Sequence, residues 1–122
     1  MALAEVEQAA HRRTVRMQPS EMASYLQDIL GQRLTAVIAG VSDAKAVGKW
    51  ARNKRNPQPP AEERLRNAVQ VVQLLMNRES PETIRAWFSG LNPGLGDRSP
   101  ALVIADEPAR VLQVARAFLA HG

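Results

Sequence analysis

Leu65, Ala68, Val69, Val72, Leu75 and Met76 recur at spacings of three and four, the longest regular apolar stripe in the chain. That period matches a helix and no other regular element. Pro60 stands near its start, and Glu62 and Glu63 fall in its first turn, where carboxylates complement the helix dipole. Val71 and Leu74 widen the apolar arc, so this helix needs cover on more than one side, from the C-terminal part or from a second copy of the chain.

The rest of the chain repeats the same grammar. Ser20 precedes a stripe of Met22, Tyr25, Leu26, Ile29 and Leu30, closed by Gly31. A short helix with Leu34, Val37 and Ile38 ends at Gly40, which can take a positive φ. Ser80-Pro81-Glu82 opens a helix with Ile84, Trp87, Phe88 and Leu91, and Asp106 caps a last one with Val111, Leu112, Ala115, Phe118 and Leu119. Residues 101–105, ALVIA, resemble a strand, but no partner strand exists in the sequence and a one- to two-turn helix is expected. The predicted fold class is all-α.

Residues 1–19 fit this scheme least well. Leu3, Val6 and Ala10 have helical spacing, but His11, Arg12, Arg13 and Arg16 follow with no clear stripe before Pro19. A frayed helix or flexible arm is expected there, followed by units at 20–78 and 79–122. At 122 residues these two units have room for a shared core.

Charge divides the chain the same way. Residues 1–78 carry 12 Lys and Arg against 7 Asp and Glu, whereas residues 79–122 carry 4 against 5. A basic portion joined to a near-neutral, apolar one suits two partners, one polyanionic and one not. The N-terminus lacks the basic-then-apolar order of a secretory signal, no apolar run is long enough to span a bilayer, and cysteine is absent. A cytoplasmic protein with no membrane role is expected.

The basic excess concentrates in residues 34–60, LTAVIAGVSDAKAVGKWARNKRNPQPP. Two short apolar-patterned segments flank a Gly-Val-Ser-Asp turn, which reads as a helix-turn-helix. Val41, Val47 and Trp50 form its packing face. Ser42, Asp43, Lys45, Ala46 and Lys49 fall on the first turns of its second helix, where they could meet base edges, and Arg52, Lys54 and Arg55 fall toward phosphates. Ser42 or Asp43 can also cap that helix. Gly48 inside it costs about 1 kcal/mol relative to alanine, which fits close approach by another backbone.

Little here points to catalysis. The two histidines, His11 and His121, lie near opposite ends with no acidic or thiol cluster at ligand spacing. Gly90, Gly94 and Gly96 lack the preceding strand and the Gly-Lys-Ser/Thr ending of a phosphate loop. No enzyme activity, metal or cofactor is expected.

Residues 34–75 resemble the Xre-type helix-turn-helix of the Xre/MbcA/ParS antitoxin family, and residues 83–119, TIRAWFSGLNPGLGDRSPALVIADEPARVLQVARAFL, resemble that family's C-terminal toxin-binding domain. The second likeness is carried by Trp87, Asn92-Pro93 followed by Leu95, Ser99-Pro100 and the closing Val-Leu-x-x-Ala stripe. Asn53 stands where many such helices have glycine, a position that asparagine tolerates because it enters the left-handed region. Residues 1–19 have no counterpart.

The resemblance implies an Xre-like helix-turn-helix bundle followed by a small helical toxin-binding domain. Such a type II antitoxin would neutralise a RES-domain, NAD-degrading toxin by covering its active site, and would repress its own operon by binding operator DNA as a homodimer or higher toxin-antitoxin complex. The toxin-facing candidates are Trp87, Leu91, Asn92, Pro93, Leu95, Ser99, Pro100, Leu102, His121 and Gly122. Trp87 and Phe88 point about 100° apart on a helix, so they cannot both occupy the centre of one stripe. The alternatives are a free-standing transcriptional regulator whose C-terminal part dimerises or binds another partner, and a helical scaffold with no DNA role.

Overall fold

The computed structural model describes residues 2–121, the side chains of Arg13 and Val15 excepted. The described residues are all-helical: α1 (Leu3–Arg16), α2 (Pro19–Leu30), α3 (Gln32–Ala39), α4 (Lys45–Ala51), α5 (Pro59–Leu75), α6 (Pro81–Ser89), a 3-10 turn (Pro93–Leu95), α7 (Pro100–Val103) and α8 (Pro108–His121). Asn92 and Arg98 form an isolated antiparallel bridge, and there is no strand among the described residues. Residues 101–105 are accordingly helical at α7 and then turn.

Proline sets most of the starts. It occupies the first position of α2, α5, α6, α7 and α8, where its missing N–H costs nothing and its fixed φ favours the helix. At α6 the Ser80 hydroxyl accepts a bond from the Thr83 amide at 3.2 Å, the cap that the sequence announces. At α2 the expectation fails by two residues. Gln18, not Ser20, caps this helix through a capping box in which Gln18 N–H donates to Glu21 Oε1 at 3.1 Å, and Pro19 opens α2 rather than merely closing what precedes it.

α5 is the spine. Leu65, Ala68, Val69, Val71, Val72, Leu74 and Leu75 are all buried, because α1, α2, α3 and α8 each pack against it. Met76, the last residue of the expected stripe, lies partly exposed just beyond the helix. α6 packs on α2 and α7 packs on α3, so the units expected at 20–78 and 79–122 share one continuous core.

The largest departure is at the N-terminus. Where a frayed helix or flexible arm is expected over residues 1–19, a 14-residue helix is laid on α5, with Val6, Ala10 and Thr14 buried. Thr14 fills the place in the stripe where an apolar residue would have announced the helix. Its hydroxyl donates to the Ala10 carbonyl at 2.8 Å, so it is buried without an unpaired donor. Arg116 Nε meets Glu7 Oε1 at 2.6 Å and ties α1 to α8.

Arginines close four helix ends. Arg64 donates to the Ala39 carbonyl of α3 at 3.2 Å, Arg78 to Leu119 of α8 at 2.8 Å, and Arg85 to Ile29 of α2 at 2.9 Å. Arg66 reaches both Thr14 and Met17 at the end of α1, at 2.7 and 3.2 Å. Each adds a donor to a carbonyl at or just beyond the end of a helix and sets positive charge against the negative end of the dipole.

Candidate functional site

The turn between α3 and α4 is built by Gly40 and Asp43. Gly40 takes φ 78°, and its N–H donates back to Ala36 and Val37 at 2.9 and 3.1 Å, which closes α3. Asp43 Oδ1 then accepts from the Lys45 amide at 2.9 Å, satisfying one exposed donor at the start of α4. Asn53, after α4, adopts φ 58°, the left-handed conformation in which asparagine is tolerated.

α4 buries Val47 and Trp50 against α2 and α3, with Val41 half-buried beside them. Trp50 is therefore a core residue, and its indole N–H has no partner among the described residues. Ala46 is a correction: at 7% exposure it belongs to the packed face and cannot meet a base edge. Its short side chain suits either face of a helix, so only the direction of packing decides. Ser42, Asp43, Lys45, Lys49, Arg52, Lys54 and Arg55 are all exposed.

The cations sort themselves by position. From Arg64 onward every Lys or Arg is engaged: Arg64, Arg66, Arg78 and Arg85 on helix ends, Arg98 and Arg110 on Glu107 at 3.0 and 3.3 Å, and Arg116 on Glu7. These bonds hold Glu107 below the usual carboxylate range, Arg98 contributing most and Arg110 next. Arg33, Lys45, Lys49, Arg52, Lys54 and Arg55, by contrast, are exposed and have no side-chain partner among the described residues. Arg12 and Arg16 on α1 are likewise exposed and without a partner among the described residues, so unengaged positive charge lies on α1, α3, α4 and the segment after α4.

Arg33 is the residue that sequence reasoning missed. It lies in the first turn of α3, where a cation gains nothing from the helix dipole and no acid pairs with it. That placement is its signal. Gly48 also differs from expectation, because what approaches it is not backbone but the side chains of Gln32 and Arg52.

A second surface lies between α6, the loop after it and α8. Trp87, Leu91, Asn92, Pro93 and His121 line a groove of about 630 Å³ together with Val114 and Phe118. The half-buried Trp87 is its wall, edge-on to Phe88 with centroids 5.1 Å apart and tilted toward Phe118 at 6.4 Å. Leu91 is 75% exposed. Asn92 holds the loop: its Oδ1 accepts from the Gly94 amide at 2.9 Å, and its N–H donates to the Arg98 carbonyl at 3.1 Å.

The other residues expected on this surface divide. Leu95 is 0% exposed, Ser99 8%, and Pro100 is buried, so all three are structural and not available to a partner. An irregular loop has no period from which inside and outside can be read. Leu102, on α7, is 65% exposed but does not line the groove, and Gly122 lies outside the described residues.

No family model, curated protein or solved structure matches this chain.

Among the described residues, no group of His, Asp and Glu has the arrangement to hold a metal ion, and no helix is long and apolar enough to cross a membrane. His11 and His121 are both exposed, and the structure does not bring them together with a nucleophile.

Proposed function

We propose that the chain is a cytoplasmic type II antitoxin of the Xre/MbcA/ParS kind, without enzymatic activity of its own. In this reading α3, the Gly40 turn and α4 form a helix-turn-helix within residues 20–78. Lys45 and Lys49 approach base edges in the major groove, and Arg33, Arg52, Lys54 and Arg55 approach phosphates. A homodimer would present two such helices to two half-sites.

The observation that carries the DNA reading is that Lys45, Lys49, Arg52, Lys54 and Arg55 stand exposed with no acid among them and no side-chain partner among the described residues, while every Lys or Arg from Arg64 onward is engaged within the fold. Phosphates supply the missing partners.

The neutral groove supports the other half of the proposal. Residues 79–122 would dock a RES-domain, NAD-degrading toxin through Trp87, Leu91 and Pro93, with an aromatic wall and an exposed leucine suited to a largely apolar partner. Co-expression with the product of an adjacent RES-type gene, followed by an NAD-consumption assay with and without this chain, tests it. Co-purification and suppressed consumption are expected. Sequence-preferring, steeply salt-dependent DNA binding without capture of that protein would instead indicate a free-standing regulator.

A further inference from the structure

Pro93 reaches the groove from a loop, residues 92–98, that carries backbone strain. Gly96 and Asp97 are left-handed in succession, at φ 66° and 58°, and the second bears a side chain that this region penalises. The loop is folded back on itself through Asn92, whose carbonyl accepts from the Leu95 and Asp97 amides at 2.9 and 3.0 Å. These bonds fix its shape. They do not fix its seat on α8, against which the 3-10 turn packs.

That seat is close: a Cβ on Gly94 would come 2.8 Å from Val114 Cγ1. Arg98 supplies the polar tie. Its Nε donates to the Leu95 carbonyl at 3.0 Å and its Nη2 to Glu107 Oε2 at 3.0 Å. Glu107 directly precedes α8, and its carbonyl accepts from the Val111 amide at 3.1 Å. One planar guanidinium thus joins the inside of the loop to the start of the helix that carries Val114 and Phe118. Among the described residues, no other side-chain hydrogen bond links residues 92–98 to residues 107–121.

We propose that Arg98 is a positioning residue for the groove, seating the loop so that Pro93 is already in place when the toxin arrives, without touching the toxin itself. The inference rests on the toxin-docking reading above. The Arg98 side chain is 51% exposed, so its ion pair adds little to global stability and its effect is local. A partner that needs the seated loop binds in proportion to the fraction of molecules that have it. Lysine would keep the charge opposite Glu107 but lacks the fork that reaches the Leu95 carbonyl at the same time.

The test compares Arg98→Lys, Arg98→Ala and Arg110→Ala, the last removing the other arginine on Glu107 without touching the loop. In the chain alone, amide hydrogen exchange followed by NMR should be about tenfold faster at Leu95 and Asp97 in both Arg98 variants and unchanged in Arg110→Ala, with all three melting close to the parent. Towards the purified product of the adjacent RES-type gene, surface plasmon resonance should show association about tenfold slower for both Arg98 variants and dissociation unchanged, because the bound loop is seated in every case. Faster dissociation would make Arg98 a direct contact and overturn the proposal. Parent-like exchange at Leu95 and Asp97, or parent-like association, would also overturn it while leaving the groove reading standing. Absence of binding by the parent protein would reject the groove reading, and this role with it.

Discussion

Arg64 closes α3 across the glycine that ends it. Its guanidinium donates to the Ala39 carbonyl at 3.2 Å and fills the space that a side chain on Gly40 would need. The helix end, the left-handed residue and the arginine on the neighbouring α5 thus form one joint, placed directly before the turn into α4.

Gly40→Ala should therefore fail twice, through strain at φ 78° and through displacement of Arg64. A loss of about 2 kcal/mol is expected, lowering the melting temperature by several degrees. Thermal unfolding followed by circular dichroism measures it, and an unchanged midpoint would show that the joint is dispensable. Arg64→Ala in the same background should add less than it costs alone, because the substituted residue 40 has already displaced the guanidinium.

On DNA, Lys45→Ala and Lys54→Ala should behave differently. If Lys45 meets a base, its loss weakens binding to the preferred site by about 1–3 kcal/mol and relaxes preference there. Lys54→Ala should weaken all duplexes alike and reduce the salt slope by about 1. Titrations at several ionic strengths on two sequences separate these outcomes. Loss of preference in neither variant would remove Lys45 as a reader.

The groove can be probed without harming the core. Leu91→Asp changes an exposed residue and should alter stability by less than about 0.5 kcal/mol, yet it should abolish capture of the proposed toxin. Leu95→Ala, four residues on, should cost about 3 kcal/mol because it empties a fully buried site. Chemical denaturation and co-purification, run on both variants, distinguish contact from scaffold. A C-terminal truncation intended to test the groove has to stop short of Leu119, whose side chain is buried and whose carbonyl receives Arg78.

Acid should act through Glu107. Its carboxyl is held below its ordinary value by hydrogen bonds from Arg98 and then Arg110. A carboxyl lowered on folding contributes stability that is present in full above its unfolded pKa, about 4.3, and is lost as pH falls through the lowered folded value. Glu107→Gln should thus match the parent at the acid extreme and fall below it above about pH 4.3. Parallel melting curves across that range would show that the pair of arginines contributes nothing.

Much of this architecture is legible in the residues. α2, α5, α6 and α8 have regular apolar stripes, so their period is readable, although Ser20 and Asp106 point to starts that Pro19 and Pro108 make instead. α1 escaped because Thr14 interrupts its stripe and alanine supplies much of the rest, so the burial signal is weak even though the packing is real. The exposed lysines of α4 were readable from the helical period, whereas Ala46 was not, since alanine fits inside and outside alike. Nor could spacing separate Leu91 from Leu95 in a loop. Which arginines are used within the fold depends on carbonyls tens of residues away, as with Arg64 and Ala39 or Arg78 and Leu119. For that reason the clustering of basic residues over 45–55 is readable in one dimension, whereas the engagement of Arg64 and the later arginines is visible only in three.

The spine helix has a consequence for how this protein can be cut. Because α5 is wrapped by α1, α2, α3 and α8, removing either end of the chain leaves Val71, Leu74 or their neighbours bare to water. A single proteolytic nick in α5 should therefore loosen both surfaces in the same event, since both are built on elements packed around one helix.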